Sequence, residues 1–493
     1  MTTTLVTLLA ESATRVPQRP ALVFRDRRLG YADLLAQALA QGTALVRMGI
    51  RPGDRVALMA PNTPEFAVGY FGILAAGAVV VPLNPLFKAE EVAYVLADSE
   101  ARMALGLQAG GGILQTASAL LPARPTVVWL DGGGKCDDAP PAGAIPRTSG
   151  DLAVCLYTSG TTGRPKGAML THSNLLANIQ SFQQVLQVTE DEIFLAVLPL
   201  FHAYGATALL LEPLSIGATV VLEPRFVPDL ILRTLVEQRV TIFMGVPSMF
   251  AVLAGLPPRT AGLARLRFCI SGGAPLPPAV LEAFEARHGV RIYEGYGPTE
   301  CSPVLTVNPL SDARKIGSVG PALPGVTLRI ADEAGRSLPP GEVGEVVARG
   351  PNVMQGYLNR PEETAEVLRD GWYHTGDLGR MDADGYLYIV DRKKDLILVG
   401  GLNVYPREVE LALEGHPAVA EAAVIGVPDP LRGEVVKALV IPRSGEAPAA
   451  ADLIQWCRQR LANYKVPRTI DLVSDFPRTI TGKVLKAQLR SQD

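Results

Sequence analysis

Residues 157–167, YTSGTTGRPKG, place three glycines and four Ser or Thr hydroxyls within eleven residues, with Pro165-Lys166 near the end. Glycines let backbone N–H groups converge on an anion, hydroxyls add donors, and a lysine adds a point charge. The chemistry this suits is phosphate binding, with Thr158, Ser159, Gly160, Thr161, Thr162, Gly163 and Lys166 as candidates. A flexible Gly/Ser/Thr linker is the plainer alternative. The stretch from Gly160 to Gly167 lacks the lysine placement of G-x-x-x-x-G-K-[ST], which disfavours a P-loop ATPase. Two further glycine clusters, Ser271-Gly272-Gly273-Ala274-Pro275-Leu276 and Glu294-Gly295-Tyr296-Gly297-Pro298-Thr299-Glu300, stand where strand-like runs end.

The elements that must position these loops alternate. Residues 31–50 recur apolar at helical spacing and stop at the turn Arg51-Pro52-Gly53-Asp54; residues 55–59 read as a strand, 64–76 as a helix opened by proline, 77–82 as a strand and 89–98 as a helix. This is the β-α-β-α order of a parallel sheet. The Gly- and Pro-rich residues 131–150 read as a surface connection, after which the alternation resumes with strands near 193–197, 218–222, 241–244 and 266–270 and helices near 228–238 and 278–288. The short apolar run 154–157 is a strand leading into the phosphate loop, and several loops converge at one sheet edge, where open α/β sheets bind ligands. Beyond residue 320 the segments shorten and alternate, with Asp382-Ala383-Asp384-Gly385 as a hairpin turn lacking the later ligands of a calcium loop. A small α+β unit follows, with a helix near 406–414, strands near 420–426 and 435–442, and a helix near 450–463.

At 493 residues the chain exceeds one hydrophobic core, and its 48% hydrophobic content supplies at least two. Forty-six basic against 49 acidic residues give a net charge of -3, so nothing points to nucleic acid. Five cysteines at 136, 155, 269, 301 and 457 form no C-x-x-C pair, which fits a reduced, cytoplasmic setting. Cys301, beside Glu300, lacks an adjacent base and is expected to be a packing residue. The N-terminal residues have no basic region before their apolar patch and read as an amphipathic helix, not a signal peptide. No apolar run reaches the length of a membrane span.

Seven motifs in order resemble the adenylate-forming superfamily of acyl- and aryl-CoA synthetases, peptide-synthetase adenylation domains and beetle-type luciferases. They are YTSGTTGRPKG, LPLFHAYG at 198–205, SGGAPL, EGYGPTE, WYHTGD at 372–377, DRKKDLILVGGLNVYPREVE at 391–410 and PRTITGK at 477–483. The resemblance covers nearly the whole chain and implies an α/β fold: a large N-terminal domain (1–392) of mostly parallel α/β sheets with a small β-rich subdomain, a hinge at 393–395, and a small mobile α+β C-terminal domain (396–493). It implies a two-step reaction in which a carboxylate attacks the α-phosphate of ATP to give acyl-AMP and pyrophosphate, and a thiol then attacks the mixed anhydride. By the resemblance, Lys483 bridges carboxylate and α-phosphate, Glu300 and Thr161 hold Mg2+, and Thr299 donates to the α-phosphate. Asp377 accepts both ribose hydroxyls, Arg392 lies near ribose and phosphate, and Tyr296 stacks beside adenine opposite Gly272, Gly273 and Ala274. Glu294, Gly295 and Gly297 belong to the same nucleotide-binding stretch. Lys394 marks the hinge, Gly400 and Gly401 line the pantetheine path of coenzyme A, and Lys166 steers pyrophosphate.

The position where amino-acid-activating domains carry an aspartate holds Phe201-His202-Ala203-Tyr204, so an ammonium-bearing substrate would go unpaired and a plain carboxylic acid is favoured. Taken alone His202 reads as a packed histidine; the resemblance implies that it borders the acyl pocket and helps gate the thiol, neutral near pH 7. Gly295 leaves room where relatives accepting malonate carry arginine. With Tyr204, Gly205, Val246 and Gly272 the lining suits an alkyl chain, so a medium- or long-chain fatty acid is expected, with an aryl acid as the alternative. Pro298 within YGPTE is shared with peptide-synthetase domains, but the chain ends ten residues after Lys483 with no carrier segment, so free CoA is the expected thiol and a separate acyl carrier protein the alternative. A luciferase-like oxygenase and a non-catalytic nucleotide-binding protein are the rival classes. The expected assembly is a monomer or homodimer, and a fatty substrate would allow peripheral contact with a membrane surface.

Overall fold

The computed structural model describes residues 3–132, 143–158, 164–257, 263–443, 448–479, 482 and 484–490. The chain divides into two compact units, Met1–Thr327 with Ala348–Tyr373, and Leu328–Val347 with His374–Asp493. This division follows packing and assigns the β-rich residues past 373 to the second unit. The boundary at 392/396 and the hinge at 393–395 concern movement, and belong to the function proposed below.

The first unit holds two mostly parallel sheets. One runs Val79–Pro82, Arg55–Met59, Met103–Gly106 and Thr126–Trp129 in parallel, with Leu152–Thr158 beside Val79–Pro82. The other takes Thr219–Leu222, Ile193–Ala196, Ile242–Gly245, Phe268–Ser271 and Ile292–Tyr296 in parallel order. Its far side accepts Pro20–Phe24, paired in parallel with Thr219–Leu222 across about two hundred residues of sequence. Continuous Val, Ile and Leu runs in these strands match sheets covered on both faces. Phe243, Phe250 and Phe284 stack edge to face at 5.4 and 5.2 Å. They lock the strand Ile242–Gly245 to the helices Pro247–Gly255 and Pro278–His288, which flank the second glycine cluster.

The expected elements at 55–59, 64–76, 89–98, 278–288 and 406–414 all form, within a residue or so. The last helix is shorter than expected: Ala450–Arg458, with a separate 3-10 turn at Asn463–Lys465. The strand expected to lead into the phosphate loop forms as Leu152–Thr158, and the structure adds an antiparallel partner beyond the loop. Leu152–Thr158 pairs antiparallel with Lys166–Thr171, and Thr158 faces Lys166 across the ladder. The strands before and after residues 159–163 therefore pair with each other, and Lys166 sits on the second of them. Helix His172–Leu186 begins only after it, opened by a Thr171–Asn174 capping box.

Gly344–Arg349, Trp372–Met381 and Leu387–Arg392 build a small sheet in which Asp377 faces Arg392. Asp382 turns the chain as expected, its carboxylate accepting from Asp384 N–H and Tyr386 N–H at 3.0 Å each. The long hairpin Val419–Asp429 and Gly433–Pro442 carries both Ile397–Val399 and Thr469–Leu472 along its second strand, over a core of Val409, Leu413, Val424, Val440 and Leu453.

Candidate active site

In the first unit the glycine clusters follow the carboxyl ends of the parallel strands Phe268–Ser271 and Ile292–Tyr296. Beside them lies a cavity with about 470 Å³ of empty space, part of it open to solvent, lined by Phe182, His202, Tyr204, Ile270, Gly272, Gly273, Gly295, Tyr296, Gly297, Thr299, Pro303, Val304 and Val307. Its lining has the mostly apolar character, with a few polar groups, of a small-molecule site. His202, Tyr204, Gly272 and Gly295 thus line it as expected. Gly205 and Val246 do not. A methyl group on Gly205 would overlap the Pro199 carbonyl, so that glycine serves backbone packing, and Val246 is buried ahead of helix Pro247–Gly255.

His202 caps the short helix Ala203–Ala206, its Nδ1 accepting from Tyr204 N–H at 3.2 Å. Burial lowers its imidazole to about 4, so it is neutral at pH 7, with the proton on Nε2. Asn62 fixes the stretch before it: its side-chain NH2 donates to the Ala196 and Leu198 carbonyls, and its oxygen accepts from Leu200 N–H at 2.9 Å. Asn178 does the same for the cavity wall, donating to the Val304 carbonyl at 2.6 Å and accepting from Val304 N–H at 3.2 Å.

Glycine is required at Gly297, where a Cβ would overlap the Pro303 carbonyl and stand 2.8 Å from Leu305 N. At Gly272 a Cβ would meet the Tyr204 ring at 3.2 Å. Glu294 turns its carboxylate away from the cavity lining, accepting from Leu276 N–H at 3.4 Å. Burial pushes it up to about 7, against donation from the Leu276 and Gly317 N–H groups and the positive charge of Arg314. It ties the SGGAPL loop in place. Ala274 and Thr299 are partly buried, with Thr299 opening the 3-10 turn Thr299–Cys301. Cys301 is fully buried and its thiol is pushed well up by burial and the neighbouring Glu300, which removes it as a nucleophile.

Glu300 is 8% exposed, and its Oε1 accepts from the Tyr357 hydroxyl at 2.8 Å and from Thr158 at 3.4 Å. No described residue engages its Oε2. Tyr357 arrives because Gly356-Tyr357 pairs antiparallel with Met169 and Ala168 of the strand Lys166–Thr171, while Met354 N–H donates to the Glu300 carbonyl at 2.8 Å. Lys166, 8% exposed, holds its ammonium 5.4 Å from the centre of the Tyr357 ring. One buried carboxylate, hydroxyls and a lysine suit Mg2+ and phosphate, since Mg2+ uses one or two carboxylates plus substrate phosphates and water. Among the described residues no cluster of three or more His, Cys, Asp or Glu side chains could hold a metal alone. Ser159, Gly160, Thr161, Thr162 and Gly163 lie outside the described residues, as does Lys483.

In the second unit Asp377, 8% exposed, sits 3.3 Å from Arg392 Nε. Glu345 holds the TGD turn, accepting from Gly376 N–H at 3.2 Å and pairing with His374 and Lys393 at 3.2 Å each. Burial raises that carboxyl, but these partners outweigh it and keep it below its usual range. Lys394 is exposed on the 3-10 turn Lys393–Asp395. Gly400 and Gly401, at φ +58° and +82°, form the two-residue turn between Ile397–Val399 and Leu402–Val404, the conformation a tight hairpin demands.

Asn62, Asn178, Glu345 and Tyr357 escaped the reading of the sequence. No local signal in the chain pointed to them.

Known proteins match this arrangement along its length. The AMP-binding enzyme family matches residues 9–358 and the AMP-binding enzyme C-terminal domain residues 408–483. A feruloyl-CoA synthase from Amycolatopsis sp is 42% identical over 476 residues, 96% of each chain. A long-chain-fatty-acid–CoA ligase from Bacillus subtilis (strain 168) is 36% identical, over 99% of this chain and 94% of that one. The crystal structure of ATP-bound MatB from Rhodopseudomonas palustris has a TM-score of 0.93 at 36% identity, covering 99% of this chain and 98% of that one. Among the described residues no helix is long and apolar enough to cross a membrane. The chain belongs to the AMP-binding enzyme family, the adenylate-forming superfamily, and is an acid–thiol ligase of the AMP-forming kind.

Proposed function

We propose that this ligase converts a compact apolar carboxylic acid, most simply an aryl or aryl-alkenyl acid, to its CoA thioester through an acyl adenylate. The observation that carries this reading is the cavity beside the glycine clusters, walled by Phe182, Tyr204, Ile270, Val304 and Val307 and lined, among the described residues, by no Asp, Glu, Lys or Arg. Aromatic walls suit a flat ring, and the similarity to a feruloyl-CoA synthase agrees. A medium- or long-chain fatty acid is the second reading, favoured by the apolar lining and the similarity to a long-chain-fatty-acid–CoA ligase.

In the first half-reaction a carboxylate oxygen attacks the α-phosphorus, an O–P bond forms, and the bond to pyrophosphate breaks. Two anions approach, so fixed positive charge and donors dominate the barrier. Lys483 bridges carboxylate and α-phosphate, Thr299 donates to the phosphate, and Lys166, Thr158 and the glycines after it hold the leaving pyrophosphate. Glu300 and Thr161 would hold Mg2+, with Thr158 and Tyr357 orienting the Glu300 carboxylate; the ion would supply charge neutralisation on the phosphates. Asp377 accepts the ribose hydroxyls, Arg392 sits near ribose and phosphate, and Tyr296 stacks on adenine beside Gly272, Gly273 and Ala274. In the second half-reaction the CoA sulfur attacks the acyl carbon, AMP leaves, and the thiol proton passes to solvent. Neutral His202 borders that approach, Gly400 and Gly401 admit the pantetheine arm, and Lys394 marks the hinge between the steps.

Acid-dependent pyrophosphate release across hydroxycinnamates, benzoates and C6 to C16 fatty acids, with and without CoA, tests this. Hydroxycinnamates should exceed every fatty acid in kcat/KM by at least about tenfold, since one misplaced methylene is worth that much. The reverse order would establish the fatty-acid reading, and turnover that needs an acyl carrier protein in place of CoA would overturn the acceptor.

A further inference from the structure

The catalytic lysine proposed above follows Gly482 in a short loop whose two ends are anchored in one small core. Phe476 before the loop and Leu489 after it pack with Ala423, Ile425 and Leu439. Arg478 and Val484 pair across the loop as an isolated antiparallel bridge, and Leu485 N–H donates to the Pro477 carbonyl at 2.8 Å. Within this frame the Arg478 guanidinium grips the Glu421 carboxylate with both prongs, at 2.9 and 2.6 Å. The same Nη1 also donates to the Gly482 carbonyl at 3.2 Å. Gly482 has φ +81°, and its N–H donates to the Thr479 carbonyl at 2.8 Å. The carbonyl held by Arg478 belongs to the peptide unit that leads directly into residue 483.

We propose that Arg478, anchored by Glu421 on the strand Val419–Asp429, is a positioning residue for the adenylation half-reaction: it fixes the peptide from which Lys483 springs. This rests on Lys483 being the adenylation lysine. The physical reason lies in the fork. A planar guanidinium can satisfy both carboxylate oxygens and still direct an N–H at a carbonyl, whereas an ammonium on a flexible stem cannot hold all three in one geometry. After the loop, Lys486 pairs with the buried Glu410 at 2.7 Å and Arg490 with Asp395 at 3.0 Å, which ties down the residues that follow it.

Three variants, Arg478→Lys, Glu421→Gln and Lys483→Ala, are assayed for kcat and KM of pyrophosphate release and, separately, for CoA transfer from supplied acyl-AMP. Arg478→Lys should lower kcat of the first half about a hundredfold, the scale of a 1 Å misplacement, with KM for ATP and acid unchanged within about twofold. Glu421→Gln should fall between it and the unmodified protein. Transfer from supplied acyl-AMP should stay within about twofold in both, which also shows that each variant is folded. Adding Arg478→Lys to Lys483→Ala should cost nothing more. A parallel loss in both half-reactions, or an additive loss in the double variant, would overturn the inference by showing a merely structural role. Wild-type kcat in Arg478→Lys while Lys483→Ala is inactive overturns the inference alone; adenylation surviving in Lys483→Ala overturns the assignment of Lys483 itself.

Discussion

At the scale of single residues, the chemistry divides into groups that were visible in the chain and groups that only hold others. Glu300 stands in a motif and could be nominated from its neighbours. Tyr357, which donates to it at 2.8 Å, lies 57 residues away and reaches it through strand pairing. Glu300→Gln should reduce pyrophosphate release about a hundredfold and raise the magnesium concentration needed for half-maximal rate, with Tyr357→Phe a milder, roughly tenfold version of the same shift. A magnesium titration of both variants checks this, and an unchanged magnesium requirement would remove Glu300 from the metal. Glu294 was grouped with nucleotide-binding residues, yet its carboxylate faces the Leu276 N–H. Its folded pKa, about 7, lies above the ordinary carboxylate value, so its contribution to stability is fully present below that ordinary value and is lost as pH rises toward 7. Glu294→Gln should therefore gain stability relative to the unmodified protein between pH 5 and pH 8, by up to about 3 kcal/mol. Urea unfolding at both pH values measures it, and a pH-independent difference would refute it.

Elements were the most legible level, because hydrophobic period and proline at first helical turns are local signals. Pro278–His288 and Pro406–Glu414 form where those signals placed them. What the local pattern missed was how elements join: residues 157–167 read as a phosphate loop, but nothing in the chain announced that Thr158 pairs with Lys166 across an antiparallel ladder. The glycines sort by the same comparison. Gly297 is required by the Pro303 carbonyl pressed against it, so Gly297→Ala should displace the YGPTE turn and abolish adenylation together with a fall in thermal stability. Gly401, at φ +82° with nothing within 4 Å of a built Cβ, is required only by its turn. Gly401→Ala should cost about 1 kcal/mol of stability and leave pyrophosphate release unchanged while slowing CoA transfer. Comparing the two half-reactions in that variant tests the pantetheine assignment, which fails if transfer is untouched.

Over the molecule as a whole, pH exposes what folding buries. His172, 2% exposed, uses Nδ1 to accept from Leu5 N–H at 3.3 Å, joining the first helix to the start of His172–Leu186. Burial, helped by Arg147, lowers it to about 4. The unfolded chain then binds more protons between pH 6.5 and 4, so stability falls as pH drops through that window, by about 3 kcal/mol at most for this one residue. His172→Gln, which keeps an acceptor, should flatten the acid limb of the stability profile; an identical limb would show that other groups set it. The sequence by itself determined the alternation of strands and helices, the two-unit content and the reaction class, because period, composition and motif order survive without coordinates. Tertiary structure alone decided that residues 20–24 join a strand 200 residues later, that Gly205 and Val246 leave the cavity lining while Phe182, Val304 and Val307 form it, and that Glu294 serves a loop. YTSGTTGRPKG shows the division: its residue types announce phosphate from the chain alone, but only strand pairing brings Glu300, Tyr357 and Lys166 beside its paired strands, because side-chain direction is set by register and not by spacing.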